Sequence, residues 1–244
     1  EMEAPLVRAY ADLLNLRPDA LLLCGETAEH VPMAREAAGR GIHVFVSKPL
    51  CFSAAQAREM AAALPPGVHL LCGNPLKYEA GILEMRRRIQ EGEIGRVYSL
   101  GLSINHLAMT RQAWERDPLR SGGPLGTYGV YLFDLPRYIT GRDIRRLYAL
   151  GDNYATPEIA VADTVKVLGE GDGIQFTLEL YSGIRHDFPF VQAQAVGEGG
   201  TLAARYDNYA TWVQTSEGCR LGALRHTDMT AGEMDHFLAC LRGE

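Results

Sequence analysis

Gly41-Ile42-His43-Val44-Phe45-Val46-Ser47-Lys48-Pro49-Leu50 is the segment on which the reading of the fold turns. Its middle, residues 43–46, is a short and nearly continuous apolar run, the pattern of a strand covered on both faces. The run stops at a lysine followed by a proline. Two similar runs lie on either side, Ala20-Leu21-Leu22-Leu23-Cys24 and Val68-His69-Leu70-Leu71-Cys72. Helix-like stretches over 29–40 and 53–64 separate them, the second opening at Ser53 as an N-cap. Gly41 follows the first helix, and Pro65-Pro66-Gly67 closes the second. Apolar strands alternating with amphipathic helices predict right-handed βαβ units and a parallel sheet, the α/β class. Leu6, Tyr10, Leu13 and Leu14 precede the first strand at helical spacing, so the chain reads as entering in the middle of a fold.

The pattern changes after residue 75. A helix is expected from Tyr78 to Gln90, with Ile82, Met85 and Ile89 on one stripe. Strand-like segments then dominate, at 96–104, 144–151, 162–169, 174–181, 188–196, 200–206 and 210–215. Gly171-Asp172-Gly173 joins two of them as a hairpin, and one helix, about 125–140, interrupts the series. The expectation is a partial Rossmann-type domain over 1–74, then an α+β domain over 75–244 with a mostly antiparallel open sheet.

Composition narrows the function. The chain has 244 residues, 47% hydrophobic and 22% charged, enough to bury a sizeable core without staples. Its net charge of −6 argues against a nucleic-acid partner. No apolar run reaches the roughly 18–20 residues that span a bilayer, and the first residues do not form a signal peptide. The five cysteines are scattered without a C-x-x-C pair, which predicts reduced thiols in a soluble, cytoplasmic protein. The histidines show no metal spacing, so no metal site is expected; Asp228 near His226, and Asp235 beside His236, read as surface pairs.

Two places carry chemistry. Lys48 stands directly after an apolar parallel strand, and ligands of open parallel sheets bind outside the carboxyl ends of strands. The same position equally suits a solvated lysine in a βα loop. The second place is Ser121-Gly122-Gly123-Pro124, a loop followed by a helix on which Thr127, Tyr131 and Asp134 stand at i, i+4 and i+7, on one face. A hydroxyl, a phenol and a carboxylate make an unusual core stripe. Presentation to water or to backbone partners explains the spacing as well as catalysis does.

Taken in order, these segments resemble the glucose–fructose oxidoreductase, inositol dehydrogenase and rhizopine-catabolism (Gfo/Idh/MocA) family. Gly25-Glu26-Thr27-Ala28-Glu29-His30 is similar to its T-P-x-x-x-H turn, with Gly25 and Glu26 replacing threonine and proline. Residues 41–50 are similar to G-K-H-V-x-x-E-K-P-L, with Ser47 replacing the glutamate. Lys77-Tyr78 stands in for an Arg-Phe pair. Glu91 to Val97 matches a helix-to-strand turn. Trp114 to Gly141 resembles W-x-x-D-P-x-x-S-G-G-G-x-L-x-D-x-G-x-H-x-x-D through R-x-L-x-G. Phe237 to Glu244 looks like a late helix of the family.

The resemblance implies an NAD(P)-dependent oxidoreductase acting on a sugar, cyclitol or related polyol, assembled as a homodimer or homotetramer through an open sheet face. It places Gly25, Glu26, His30, Ser47, Lys48 and Pro49 beside the cofactor. Lys48 is the family's catalytic lysine. Thr127 takes the place of its aspartate and Tyr131 that of its histidine, a place where some sugar-oxidising relatives carry tyrosine. An ammonium beside a phenol favours the phenolate, which is how Lys48 and Tyr131 can share the work of removing a hydroxyl proton. Two other readings stand beside this one: an NAD-dependent glycosidase of the same fold, and a non-catalytic sensor, which the replacements at Ser47 and Thr127 favour.

A phosphate-cradling G-x-G-x-x-G after a strand does not occur in these residues; Gly169-Glu170-Gly171-Asp172-Gly173 lies between two strands in the wrong half. By comparison with the family, roughly the first two strands and their loops are absent, and the acidic residue that separates NAD from NADP goes with them. The 244 residues alone are therefore expected to bind NAD(P) poorly. Calorimetric titration checks this, and micromolar binding would relocate the cofactor site.

Overall fold

The computed structural model describes residues 6–106, 114, 117–156, 161–185, 189–205, 210–221 and 227–244. The chain divides into two compact units, Glu1–Gly73 with Asp235–Glu244, and Asn74–Met234. The last ten residues, read from the sequence as part of the second domain, thus belong with the first.

The first unit begins with helix α1 (Tyr10–Asn15), then alternates β1 (Ala20–Leu23), α2 (Thr27–Gly39), β2 (His43–Val46), α3 (Ala54–Ala63) and β3 (Leu70–Cys72). The strands form one parallel sheet in the order β1-β2-β3, with Leu23 opposite Val46 and Val46 opposite Cys72. Val44 and Val46 are fully buried with Leu21 and Leu23, among Leu14 of α1, Ala34, Ala37 and Ala38 of α2, and Met60 of α3. Alanines on α2 let the helix lie close to the sheet. Each fully buried Val or Leu contributes roughly 1.5–3 kcal/mol, so this small core depends on few side chains. Phe45 points to the other face and meets Phe237 of α7 (Met229–Arg242) edge-on at 5.8 Å. Residues buried on both faces explain the unbroken apolar run. Ser53 caps α3 as expected, accepting the Gln56 N–H at 3.2 Å.

The second unit opens with a 3-10 turn, Pro75–Tyr78, followed by α4 (Ala80–Gln90). The single helix expected over 78–90 is broken here because Glu79 restarts it, accepting the Ile82 N–H at 2.8 Å as an N-cap. Then come β4 (Val97–His106), α5 (Pro118–Ser121), α6 (Gly123–Thr140), β5 (Arg146–Asp152), β6 (Thr164–Gly171), β7 (Ile174–Ser182), β8 (Val191–Gly197), β9 (Gly200–Arg205), β10 (Ala210–Thr215) and β11 (Gly218–Leu221). They form an eight-stranded sheet in the order β11-β10-β9-β8-β4-β7-β6-β5. Its neighbours are antiparallel except β4 and β7, which run parallel. Asp172 (φ 50°) and Gly173 (φ 81°) make the β6–β7 hairpin with two positive φ angles, as a type I′ turn requires.

One sheet face carries Leu100, Leu102, Ile104, Val167, Phe176, Leu178, Leu180 and Ala195, all buried with Tyr131, Leu132, Leu135 and Ile139 of α6 and with Ile82 and Met85 of α4. The period-2 alternation of these strands follows from that one-sided burial. Strand β11 has too few residues to show such alternation; pairing with β10 makes it a strand. Asp228 caps α7, accepting the Ala231 N–H at 3.0 Å; its expected partner His226 lies outside the described residues, as do 188 and 206 at the ends of expected strands.

Glu79 is buried, and desolvation raises its pKa above the usual carboxylate range, against the pull of the Gly81 and Ile82 N–H groups. A carboxyl whose folded pKa is raised holds its proton where the unfolded chain has lost it. Stability is therefore lost as pH rises from the unfolded to the folded value. Glu79→Gln keeps an acceptor oxygen and removes that proton, so its melting temperature should fall less than the wild type's as pH rises above the unfolded carboxylate value of about 4. Equal slopes in thermal melts across that range would contradict this account.

Candidate functional site

In the first unit the residues of interest lie at the carboxyl ends of the strands. The Ser47 N–H donates to Leu23 O at 2.8 Å and the Gly73 N–H to Val46 O at 2.8 Å, which brings the three strand ends level. Beyond them the chain leaves the sheet as residues 24–26 before α2 and residues 47–53 before α3. The Lys48–Pro49 peptide is cis. His30, on the second turn of α2, is 1% exposed, and its ring lies between two backbone carbonyls: Nδ1 is 2.8 Å from Pro49 O and Nε2 is 3.1 Å from Gly25 O. Gly25, His30 and Pro49, distant in sequence, are thus one cluster, with Ser47 tied to it through Leu23. Glu26 is the N-cap residue of α2 but supplies no side-chain cap. Among the described residues other than its chain neighbours, no atom stands within 4 Å of where a Cβ on Gly25 would be, so its backbone borders open space. An open backbone edge at the carboxyl end of a parallel sheet, beside a helix start, fits the flank of a dinucleotide.

In the second unit a self-bonded turn launches α6. Asp117 accepts the Leu119 N–H at 2.9 Å, and the buried Ser121 hydroxyl donates to Asp117 O at 3.0 Å while accepting the Gly123 N–H at 2.9 Å. Gly122 and Gly123 have φ of 70° and 65°, and a Cβ on Gly123 would stand 2.5 Å from Val161 Cγ2. Only glycine fits there, which explains the Ser-Gly-Gly spelling. The helix then carries Thr127, Tyr128, Tyr131 and Asp134. Thr127 is half-buried. Tyr131 is 4% exposed, edge-on to Phe190 at 6.3 Å and packed with the core.

Asp134 accepts from Asn74 Nδ2 at 2.6 Å and from Lys77 Nζ at 2.7 Å. Lys77 and Arg86 both lie over the Tyr138 ring, one α-helical turn further on. Asp134 therefore fastens α6 to the turn that follows residue 73, and the Lys77-Tyr78 segment has a structural partner.

The sequence reading missed His106. As the last residue of β4 it meets the start of α6, where its Nε2 lies 2.5 Å from the Tyr128 hydroxyl and the two rings are 4.0 Å apart. Phe190 touches both rings edge-on. No local spacing could reveal a pair separated by 22 residues. Asp163 was missed for the same reason. Its buried carboxylate accepts the N–H groups of Tyr154, Ala155 and Thr156 and the hydroxyls of Thr156 and Thr164. Although burial pushes its pKa up, these donors together hold it below the usual range. Its own carbonyl accepts the Ser182 N–H at 2.8 Å, next to the β4–β7 pair His106–Ser182. His106, Tyr128, Phe190, Asp163 and Ser182 thus gather around the ends of β4 and β7.

Residues 1–76 match the model of an oxidoreductase family described as an NAD-binding Rossmann fold, and residues 82–203 match the Gfo/Idh/MocA C-terminal domain. The uncharacterized oxidoreductase YrbE of Bacillus subtilis is 30% identical over 176 residues, 71% of this chain and 49% of that protein. The scyllo-inositol 2-dehydrogenase (NAD(+)) of the same organism is 25% identical over 214 residues, 87% of this chain and 57% of that protein. The chain thus spans about half the length of these two relatives. In fold it is similar to aldose-aldose oxidoreductase from Caulobacter crescentus, with a TM-score of 0.84 and 19% identity over 96% of this chain and 72% of that one. With both halves matched in order, the chain belongs to the Gfo/Idh/MocA oxidoreductase family.

Proposed function

We propose that this protein is an NAD(P)-dependent oxidoreductase that moves a hydride between the nicotinamide cofactor and a sugar, cyclitol or related polyol. The observation that carries the reading is the set of strand-end loops in the first unit, with Gly25 bordering open space and Lys48 leaving β2, inside the residues that match an NAD-binding model. The similarity to a scyllo-inositol dehydrogenase supports a polyol as the substrate class. Gly25, Glu26, Ser47, Lys48 and Pro49 would hold the cofactor: backbone N–H groups and the Ser47 hydroxyl suit phosphate or ribose oxygens, and the Glu26 carboxylate suits ribose hydroxyls. When bound, the nicotinamide accepts or returns the hydride.

The chain's own groups then manage proton and charge. In this proposal Lys48 donates a hydrogen bond to the substrate oxygen and stabilises the negative charge that develops on it. Tyr131 takes the hydroxyl proton, and the Thr127 hydroxyl orients the substrate in place of a carboxylate. One observation favours a non-catalytic sensor instead: Tyr131 is 4% exposed and packed among apolar side chains. We also propose a cytoplasmic homodimer or homotetramer, joined through the sheet face opposite α6. There Tyr148 and Leu168, paired across β5 and β6, are 63% and 62% exposed.

The test is a polyol panel with NAD+ or NADP+ on the full-length gene product, following NAD(P)H absorbance. Lys48→Met should lower kcat by about 10²-fold or more, the usual loss for a positioned acid–base or electrostatic group. Tyr131→Phe should fold normally, lose activity steeply and change the pH dependence of the chemical step. Unchanged kcat/KM in Lys48→Met would leave it a solvated loop residue. Bound cofactor without turnover would select the sensor, and released sugar without net NADH the glycosidase.

A further inference from the structure

We infer that His30 is a positioning residue: it ties the loop after β1 to the loop after β2 and so holds Lys48 in place, and it does not itself touch the cofactor. The part of the inference that concerns Lys48 rests on the function proposed above. The tie itself rests on geometry alone. Both ring nitrogens are already engaged, Nδ1 with Pro49 O at 2.8 Å and Nε2 with Gly25 O at 3.1 Å, and the residue is 1% exposed. Nothing on the ring is left to reach a ligand. Carbonyl oxygens only accept, so each contact needs an N–H on the ring: a neutral ring donates to one loop or the other according to its tautomer, and a ring protonated on both nitrogens donates to both.

The position makes the tie matter. Ser47 N–H to Leu23 O closes the β1–β2 ladder, and beyond it both loops have left the sheet. Pro49 has no N–H, so its carbonyl is its one backbone hydrogen-bonding group, and His30 engages it. Lys48 is the residue between the last ladder bond and this one. Its backbone is therefore fastened on both sides, by the Ser47 N–H before it and the Pro49 carbonyl after it. A buried histidine that only filled space would not need two carbonyls from two loops at hydrogen-bond distance.

The test uses hydrogen exchange and a double-mutant cycle. His30→Phe keeps a ring and loses both nitrogens. Amide exchange within residues 24–26 and 47–52 should then rise by about 10-fold or more while the rest of the first unit stays protected. Should that variant fail to fold, His30→Gln retains one amide donor, and exchange should rise in one of the two loops. No rise in either loop with a folded variant overturns the tie. In turnover, His30→Phe should cost about 10-fold in kcat in the wild-type background and less than about 2-fold in Lys48→Met, because the two residues act through one arrangement. Equal losses in both backgrounds would mean that His30 does not act through Lys48. A wild type with no turnover would defeat the proposed function but leave the exchange measurement to decide the tie.

Discussion

A sheet eight strands wide with helices on one face must place its apolar residues at every second position. The helix that covers that face must lie flush against it. Much of the second unit follows from this constraint. Helix α6 supplies Tyr131, Leu132, Leu135 and Ile139 to the shared core, so its rotation about its own axis is set by burial. Once that rotation is set, the polar residues on the same stripe have determined positions. Tyr131 is drawn inward, Thr127 stays half-buried near the helix start, and Asp134 faces the turn at Asn74 and Lys77.

Burial also governs which polar groups are tolerated. Asp163 remains a carboxylate because three N–H groups and two hydroxyls surround it, and these donors outweigh its desolvation. Glu79 has fewer partners, and burial dominates there. Asp134 needs neither device, since an ammonium and an amide reach it directly. Two buried acids thus meet the low-dielectric interior in two ways, while Asp134 stays partly exposed, and each of the three fastens a loop or turn next to the core.

The first unit is built on a smaller scale, and its economy is different. Its sheet has three strands, and the loops at their carboxyl ends are held by single backbone hydrogen bonds and by one buried imidazole. Such loops gain rigidity from a few directed contacts rather than from packing. In the function proposed above, such loops would meet a flat, polar cofactor along their backbone, where bulk would exclude it.

Read without coordinates, the chain determined its own secondary structure closely. Apolar runs at 20–24, 43–46 and 68–72 pointed to a parallel sheet, which they form, although Leu22 of β1 is exposed, and the alternating strands after residue 95 needed a one-sided core. The family was legible because its motifs are contiguous in sequence: Lys48-Pro49 follows one strand directly, and in the Ser121-Gly122-Gly123 turn the positive φ angles call for the two glycines. What escaped depends on contacts between distant segments. His106 against Tyr128, Asp163 beneath residues 154–156, Asp134 between Asn74 and Lys77, and His30 between two carbonyls all join residues that no periodicity relates. Strand β11 and the break before α4 escaped for a like reason, one being made by its neighbour and the other by a cap. Periodicity records which face of an element is buried. It holds no record of which partner waits there, because that is settled only when the strands take their order in the sheet.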